Sequence, residues 1–380
     1  MARFFPQSQC RLRHRHRQKL RLRTGVGELE VDVWYGQDPS DQHWGCPLRE
    51  RWGLEAYQRM SPLLQEKLAF TVTATGTFEE AAAVARKWGC AVEDSTLHAL
   101  AQKMGERAEQ QIQERLQGLP QEKPPLRATG GVAVLMLDGW QVRERGLGWG
   151  RKKTKQNRVE WHELKTGVFY WQEQVGRTAG GRGVLSDKVV VSWQGEPLEL
   201  GRRLNHEAMC RGLGRASERL VVADGAPWIW NVAQDRWKGA VELLDFYHGS
   251  EHLGCLGEAL HGSKEKAGPW VEEKRHQLRH GEEAKVLRAI QRLPVKRSKA
   301  GQIMQREKNY FASQAHRMNY QELADKGWPI GSGAVESACR QRQCRFKRSG
   351  QFWTERGLRN LCALEEARRN HHWDDLWKLS

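Results

Sequence analysis

Apolar and polar residues alternate from Leu20 to Tyr35, interrupted by Gly25-Val26-Gly27, and this period of two predicts a small two-stranded element whose exposed face is basic. The pattern then shifts to a helical period. Ser61-Pro62 has the form of an N-cap followed by proline in the first turn, opening a helix through about Thr71. Thr77 and Glu80 make a capping box ahead of Ala81-Ala82-Ala83-Val84-Ala85, and Gly89 ends that helix. After Cys90-Ala91-Val92, Asp94 or Ser95 caps a third helix that carries Leu97, Leu100 and Met104 at helical spacing. Helix, short glycine turn, helix is the layout of a helix-turn-helix, whose second helix can enter a major groove, and equally that of an ordinary helical hairpin. Residues 1–60 therefore read as a basic β element and 61–117 as a helical DNA-binding domain.

Residues 118–130, with Pro120, Pro124, Pro125 and Gly130 among mostly polar neighbours, read as a linker. Beyond it come apolar runs that predict strands at Gly131 to Leu137, Trp161 to Trp171 and Lys188 to Trp193. A helix over Leu198 to Gly212 follows, then strands at Leu220 to Ala223 and Val241 to Leu244. Three strands, a helix, then alternating strands and helices is an α/β order that describes a ribonuclease H-like core, its first part at 131–251 and its second, with basic C-terminal helices, at 327–380. Between them, residues 252–326 are rich in Glu, Lys, Arg and His, with Leu278, Val286, Leu287 and Ile290 at helical spacing, and predict an inserted helical subdomain.

Lys and Arg number 62 against 46 acidic residues in a chain of 380, a net charge of +16, and a surplus that size favours a polyanion such as nucleic acid. Mean hydropathy is −0.75 and no apolar run nears the roughly 20 residues that span a bilayer, so a soluble protein with no membrane partner is expected. The N-terminal stretch lacks the apolar centre of a signal peptide, which predicts cytoplasmic residence. The 8 cysteines are scattered and read as free thiols, Cys339 and Cys344 as buried ones, in place of a disulfide framework or a zinc site.

Three acidic residues stand in contexts that suit metal-dependent phosphodiester chemistry. Asp138 ends the run Val132 to Leu137, Asp224 ends Leu220 to Ala223, and Glu336 follows the turn Gly331-Ser332-Gly333. Oxygen-only ligands suit hard cations, and two Mg²⁺ or Mn²⁺ ions can activate a water and steady a leaving oxygen. Taken singly, an Asp after a strand merely caps a turn. Asp245 rivals Asp224 because it too follows an apolar run, but strand order puts Asp224 beside the first strand. Asp245 and His248, three apart, can share a helical face and support the site, or make only structural hydrogen bonds. Arg151, Lys152 and Lys153 form a basic turn between the first two core strands. Arg340, Arg342, Arg345, Lys347 and Arg348 follow Glu336 directly and are expected to bring positive charge to the DNA backbone, with a solvated basic face as the alternative. Trp270 or Trp353 could stack on an unpaired base.

The run Gly331-Ser332-Gly333-Ala334-Val335-Glu336-Ser337-Ala338-Cys339-Arg340, then Phe346-Lys347-Arg348-Ser349-Gly350-Gln351-Phe352-Trp353 and the ending Trp373-Asp374-Asp375-Leu376-Trp377, resemble bacterial insertion-sequence transposases with an Asp-Asp-Glu site. Within these the likeness is to the Kra-four group, related to the eukaryotic Mutator-like superfamily. Asp245-Phe246-Tyr247-His248 resembles that superfamily's Asp-x-x-His element, and Phe78-Glu79-Glu80-Ala81-Ala82 its N-terminal helical module. Relatives often carry paired cysteines where Tyr35 to Cys46 keeps only one, which argues against a zinc ribbon.

The resemblance implies that Asp138, Asp224 and Glu336 bind two Mg²⁺ ions, that double-stranded DNA at the element ends and at the target is the partner, and that the protein forms a homo-oligomer on DNA in the bacterial nucleoid. A catalytically idle, repurposed DNA-binding protein and another ribonuclease H-like nuclease are the competing readings.

Overall fold

A computed structural model describes residues 12–55, 57–118, 131–150, 157–295 and 297–378. The expected linker, apart from Gly118, and the basic turn of Arg151, Lys152 and Lys153 lie outside the described residues. The chain divides into two compact units, Met1–Gln111 with Arg356–Ser380, and Ile112–Glu355. Among the described residues no helix is long and apolar enough to cross a membrane.

In the first unit, β1 (Arg13–Thr24) and β2 (Gly27–Gln37) form an antiparallel ribbon closed by the Gly25-Val26 turn, with Leu20 opposite Val31 and Leu22 opposite Leu29. A short β3 (Trp44–Gly45) pairs with β2 and leads into α1 (Pro47–Arg51). Alternation does what it predicts: Leu20, Leu22 and Val33 point inward onto Cys46 and Leu54, and the residues between them point out.

Helix α2 (Pro62–Ala74) starts where Ser61 Oγ accepts the Leu64 N–H at 3.2 Å, and runs slightly past the expected Thr71. At α3 (Phe78–Lys87), Thr77 Oγ1 accepts from Glu80 N at 3.0 Å while the Glu80 carboxylate accepts from Gly76 N. Gly89, at φ +88°, turns the chain before α4 (Asp94–Gln117), which begins at Asp94 itself, so the expected cap at Asp94 or Ser95 lies one or two residues late.

The C-terminal helix α13 (Glu355–Arg369) belongs almost wholly to this unit, not to the second part of the core as expected from sequence order. The cause is close packing on α4. A Cβ on Gly105 would lie 2.1 Å from the Asn360 carbonyl oxygen, so only glycine lets the two helices meet there. Asn360 Nδ2 donates to Gln102 Oε1 at 3.1 Å, and Arg368 reaches the Thr73 carbonyl at 3.1 Å.

The second unit is built on a five-stranded sheet of β4 (Val132–Arg145), β5 (Val159–Trp171), β8 (Val189–Gln194), β9 (Glu218–Ala223) and β10 (Val241–Leu244). Its order is β10-β9-β4-β5-β8, antiparallel across β4, β5 and β8 and parallel across β4, β9 and β10. A separate hairpin of β6 (Val175–Arg177) and β7 (Gly183–Leu185) was not anticipated. Ala133, Leu135 and Leu137 pack with α5 (Pro197–Cys210) and α6 (Pro227–Arg236) on one face of the sheet.

β4 is twice the expected length. Its alternation resumes after Asp138, with Trp140 and Val142 buried, so Asp138 lies within the strand and not at its end. The helical insertion begins earlier than expected, directly after β10, and comprises α7 (Phe246–His261), α8 (Lys264–Arg279), α9 (Glu283–Arg292), α10 (Lys299–Ser313) and α11 (Tyr320–Asp325). The chain then returns to the sheet as α12 (Gly333–Phe346), which packs on β4 and β5.

Candidate active site

Strand register brings Asp138 and Asp224 together. β4 and β9 run parallel with Leu137 opposite Ala223. The following residues, Asp138 and Asp224, therefore come next to one another where β9 ends. β10 extends the row, since Leu244 pairs with Ala223 and the Asp245 N–H donates to the Ala223 carbonyl at 2.7 Å. Alternation turns Asp138 away from Leu135 and Leu137, toward the face that α12 covers.

The helix α12 carries Glu336 in its first turn and Cys339 three residues on. Burial pushes the Cys339 thiol far above its ordinary range, and the negative charge of Asp138 adds to the effect. The thiol stays protonated and donates to the Asp138 carboxylate, which ties the strand to the helix. Burial also raises the Asp138 carboxyl above the usual carboxylate range. Hydrogen bonds from Cys339 and the Gly139 N–H oppose that rise, and the charges of Asp224 and Glu336 reinforce it. The three carboxylates thus lie close enough to repel one another.

Asp224 sits just past β9, where its Oδ1 accepts the Ala226 N–H at 3.0 Å and opens the turn into α6. The turn-capping role is real here. It is clamped from the insertion: Tyr310 Oη donates to the Asp224 carbonyl at 2.9 Å, and Gln314 Nε2 to the Gly225 carbonyl at 3.2 Å. Gly225, at φ +96°, holds a backbone conformation that L side chains rarely adopt, and a Cβ there would crowd Tyr310 Oη at 3.0 Å.

Asp245, the rival of Asp224, is taken up by structural hydrogen bonds. It is 1% exposed and caps α7: its Oδ1 accepts from the Tyr247 N–H at 2.6 Å and the His248 N–H at 3.1 Å. Its Oδ2 accepts the Ser332 N–H at 2.7 Å together with the Ser332 hydroxyl. Four donors use the carboxylate up. Ser332 Oγ also lies 2.9 Å from Glu336 Oε1, so the clasp reaches the third acidic residue.

Asp245 meets His248 only through the backbone, and no shared side-chain face forms. The His248 imidazole instead faces His252, Nε2 to Nε2 at 3.3 Å. His252 bonds the fully buried Glu307 through Nδ1 and stacks on Tyr310 with ring centroids 3.6 Å apart.

The basic segment after Glu336 divides by helical face. Arg340, Lys347 and Arg348 are exposed, whereas Arg342 and Arg345 are buried at 1% and 5% exposure and cannot meet a DNA backbone at the surface. Their position follows from the face that Val335, Cys339 and Phe346 turn to the sheet. Trp353 is buried too, its Nε1 donating to the Phe346 carbonyl at 2.8 Å, so it offers no platform for a base. Cys344 is exposed, contrary to expectation, while Cys339 is buried as expected.

Among the described residues, no group of three or more His, Cys, Asp and Glu side chains is arranged to hold a metal ion. Asp138 is turned onto Cys339 and Gly139 and Asp224 onto Ala226, while Glu336 lies 2.9 Å from the Ser332 hydroxyl, whose proton goes to Asp245. The donor chemistry still fits a hard divalent cation, because the set is all carboxylate oxygen and the charges of Asp224 and Glu336 both work against ionisation of the partly buried Asp138.

No family model matches the chain. It is similar to a Streptococcus gallolyticus protein described as the UPF0236 protein in vanSb 3'region, at 25% identity over 331 residues, 85% of this chain and 67% of that protein. Among solved structures, the Drosophila P element transposase strand transfer complex matches at 12% identity over 82% of this chain and 79% of that one. Its TM-score is 0.26, too low to carry an argument about fold or activity.

Proposed function

We propose that the chain is an Asp-Asp-Glu DNA transposase with a ribonuclease H-like core, which binds the duplex ends of an insertion element and carries out strand cleavage and strand transfer. The observation that carries this reading is the register of β4 and β9, which sets Asp138 beside Asp224, with Glu336 on the helix bonded to Asp138 through Cys339. The strand order, three antiparallel strands and then two parallel ones, supports the ribonuclease H-like assignment. The motif residues around Glu336 support the Kra-four group and its Mutator-like kinship. The turn at Gly89 between α3 and α4 supports a helix-turn-helix.

Asp138, Asp224 and Glu336 are the residues that would hold two Mg²⁺ or Mn²⁺ ions. Such a pair, when bound, would lower the pKa of water so that hydroxide is available to attack a phosphodiester, and would neutralise charge on the leaving oxygen. The chain's own residues do the positioning. Cys339 orients the Asp138 carboxylate, Tyr310 and Gln314 hold the Asp224 turn, and Asp245 with Ser332 fixes the start of the Glu336 helix. Arg340, Lys347 and Arg348, exposed on and after that helix, neutralise the phosphate backbone next to the reacting bond. Because two ends must be joined, a homo-oligomer on DNA is part of the proposal, and a bacterial nucleoid its setting.

One observation favours the rival, a DNA-binding protein that no longer cuts: the Asp138 and Asp224 carboxylates are each engaged by a protein donor. The two separate in a Mg²⁺-dependent cleavage assay on duplexes taken from the DNA flanking the gene. The transposase reading expects the wild type to cut, and Asp138→Ala, Asp224→Ala and Glu336→Ala each to bind but not cut. A wild type that binds these duplexes without cutting supports the rival. Undiminished cutting by one variant removes that residue from the mechanism.

A further inference from the structure

The outward face of the β1–β2 ribbon carries two kinds of cation. Register sets Lys19 opposite Asp32, Arg21 opposite Glu30 and Arg23 opposite Glu28. These three are neutralised within the ribbon: Lys19 and Arg21 both bond Glu30, the latter at 2.7 Å, and Arg23 bonds Glu28 at 3.1 Å. At the other end Arg17 lies opposite Trp34, not an acid. Arg15 and Arg17 are exposed, and among the described residues no carboxylate pairs with either. Their guanidinium carbons lie over the Trp34 ring, 5.0 and 5.1 Å from its centre, and Trp34 itself is 38% exposed.

We infer that Arg15, Arg17 and Trp34 form a docking surface for the phosphate backbone of duplex DNA, separate from the candidate active site. The inference rests on the DNA-binding reading above. A guanidinium laid on an indole keeps its in-plane N–H groups free to fork onto phosphate, and the stacking fixes where those donors point. Two such groups side by side, unpaired by acid, are prearranged for adjacent phosphate oxygens. The occupant is a duplex and not a single strand, because a base needs an open aromatic face and the guanidiniums already lie on this ring. The acid-paired half of the ribbon has little net charge to offer.

Fluorescence anisotropy of the full chain on a labelled duplex from the DNA flanking the gene, repeated across salt concentrations and with a single strand of the same length, tests this. The Arg15→Ala/Arg17→Ala double variant is expected to bind the duplex about tenfold more weakly, and to lower the slope of log K against log salt by about 2, near 0.9 for each lost phosphate contact. Trp34→Ala is expected to weaken binding in the same direction by releasing both guanidiniums, and Lys19→Ala/Arg21→Ala to change it less than twofold. Unaltered affinity and slope in Arg15→Ala/Arg17→Ala overturn the inference while leaving the transposase reading intact. A larger loss on the single strand than on the duplex overturns the duplex assignment. A wild type that binds neither DNA overturns the transposase reading and this inference with it.

Discussion

Asp245 Oδ2 accepts both the backbone N–H of Ser332, at 2.7 Å, and the Ser332 hydroxyl, joining residues 87 positions apart. Because Ser332 is the residue from which α12 starts, this clasp sets where Glu336 enters the site. Asp245→Ala would strand four donors in a buried place, and a buried hydrogen-bonded carboxylate lost in this way costs about 3 kcal/mol or more. Urea denaturation is expected to show a midpoint lowered accordingly. An unchanged midpoint would remove the clasp from the account of how the site is held.

Asp138 contributes to stability with the opposite sign. Burial raises its carboxyl above the ordinary 3.8, so the folded chain favours the protonated form more than the unfolded chain does. That contribution is complete below the unfolded value and is lost as pH rises through the higher folded one, leaving the charge unfavourable at neutral pH. Asp138→Asn is therefore expected to abolish cleavage while raising the melting temperature at pH 7, by about 2–4 °C for each kcal/mol relieved. The gain should vanish near pH 3 in a thermal scan series, and a lower melting temperature at pH 7 would contradict the electrostatic account of the site.

Tyr310→Phe keeps the ring that stacks on His252 and removes only the hydroxyl that holds the Asp224 carbonyl. Stability should fall by about 1 kcal/mol, the worth of one hydrogen bond. Cleavage should fall further, about ten- to a hundredfold, because small displacements of a reacting group are costly. Wild-type cleavage rates in this variant would show that the insertion does not position Asp224.

Gly105→Ala pits propensity against packing. Alanine stabilises an exposed helix interior by about 1 kcal/mol over glycine, but here its Cβ would collide with the Asn360 backbone. A lower melting temperature is expected from calorimetry, and a higher one would show that α4 and α13 are not in close contact.

The core strands are legible where apolar runs end cleanly, as at Ala223 and Leu244, because buried parallel strands carry little else. Asp138 breaks the apolar run, so the sequence marks only the first half of β4, although Trp140 and Val142 keep the alternation going. The burial of Arg342 was hidden by its charge, and its spacing from Cys339 and Phe346 was the available signal. Nothing local marks Tyr310 or the pairing of Asp245 with Ser332, since both contacts are made across the folded sheet and insertion. The docking of the C-terminal helix on α4 had one trace, a lone glycine inside a helical pattern at Gly105.

Titration of the purified protein with Mn²⁺, followed by electron paramagnetic resonance, tests the shared carboxylate site most directly. The wild type is expected to take up two Mn²⁺ ions per chain, and Asp138→Asn, Asp224→Asn and Glu336→Gln each to lose that uptake while remaining folded. Uptake unaltered in any of the three, or no uptake by the wild type, would contradict the shared site.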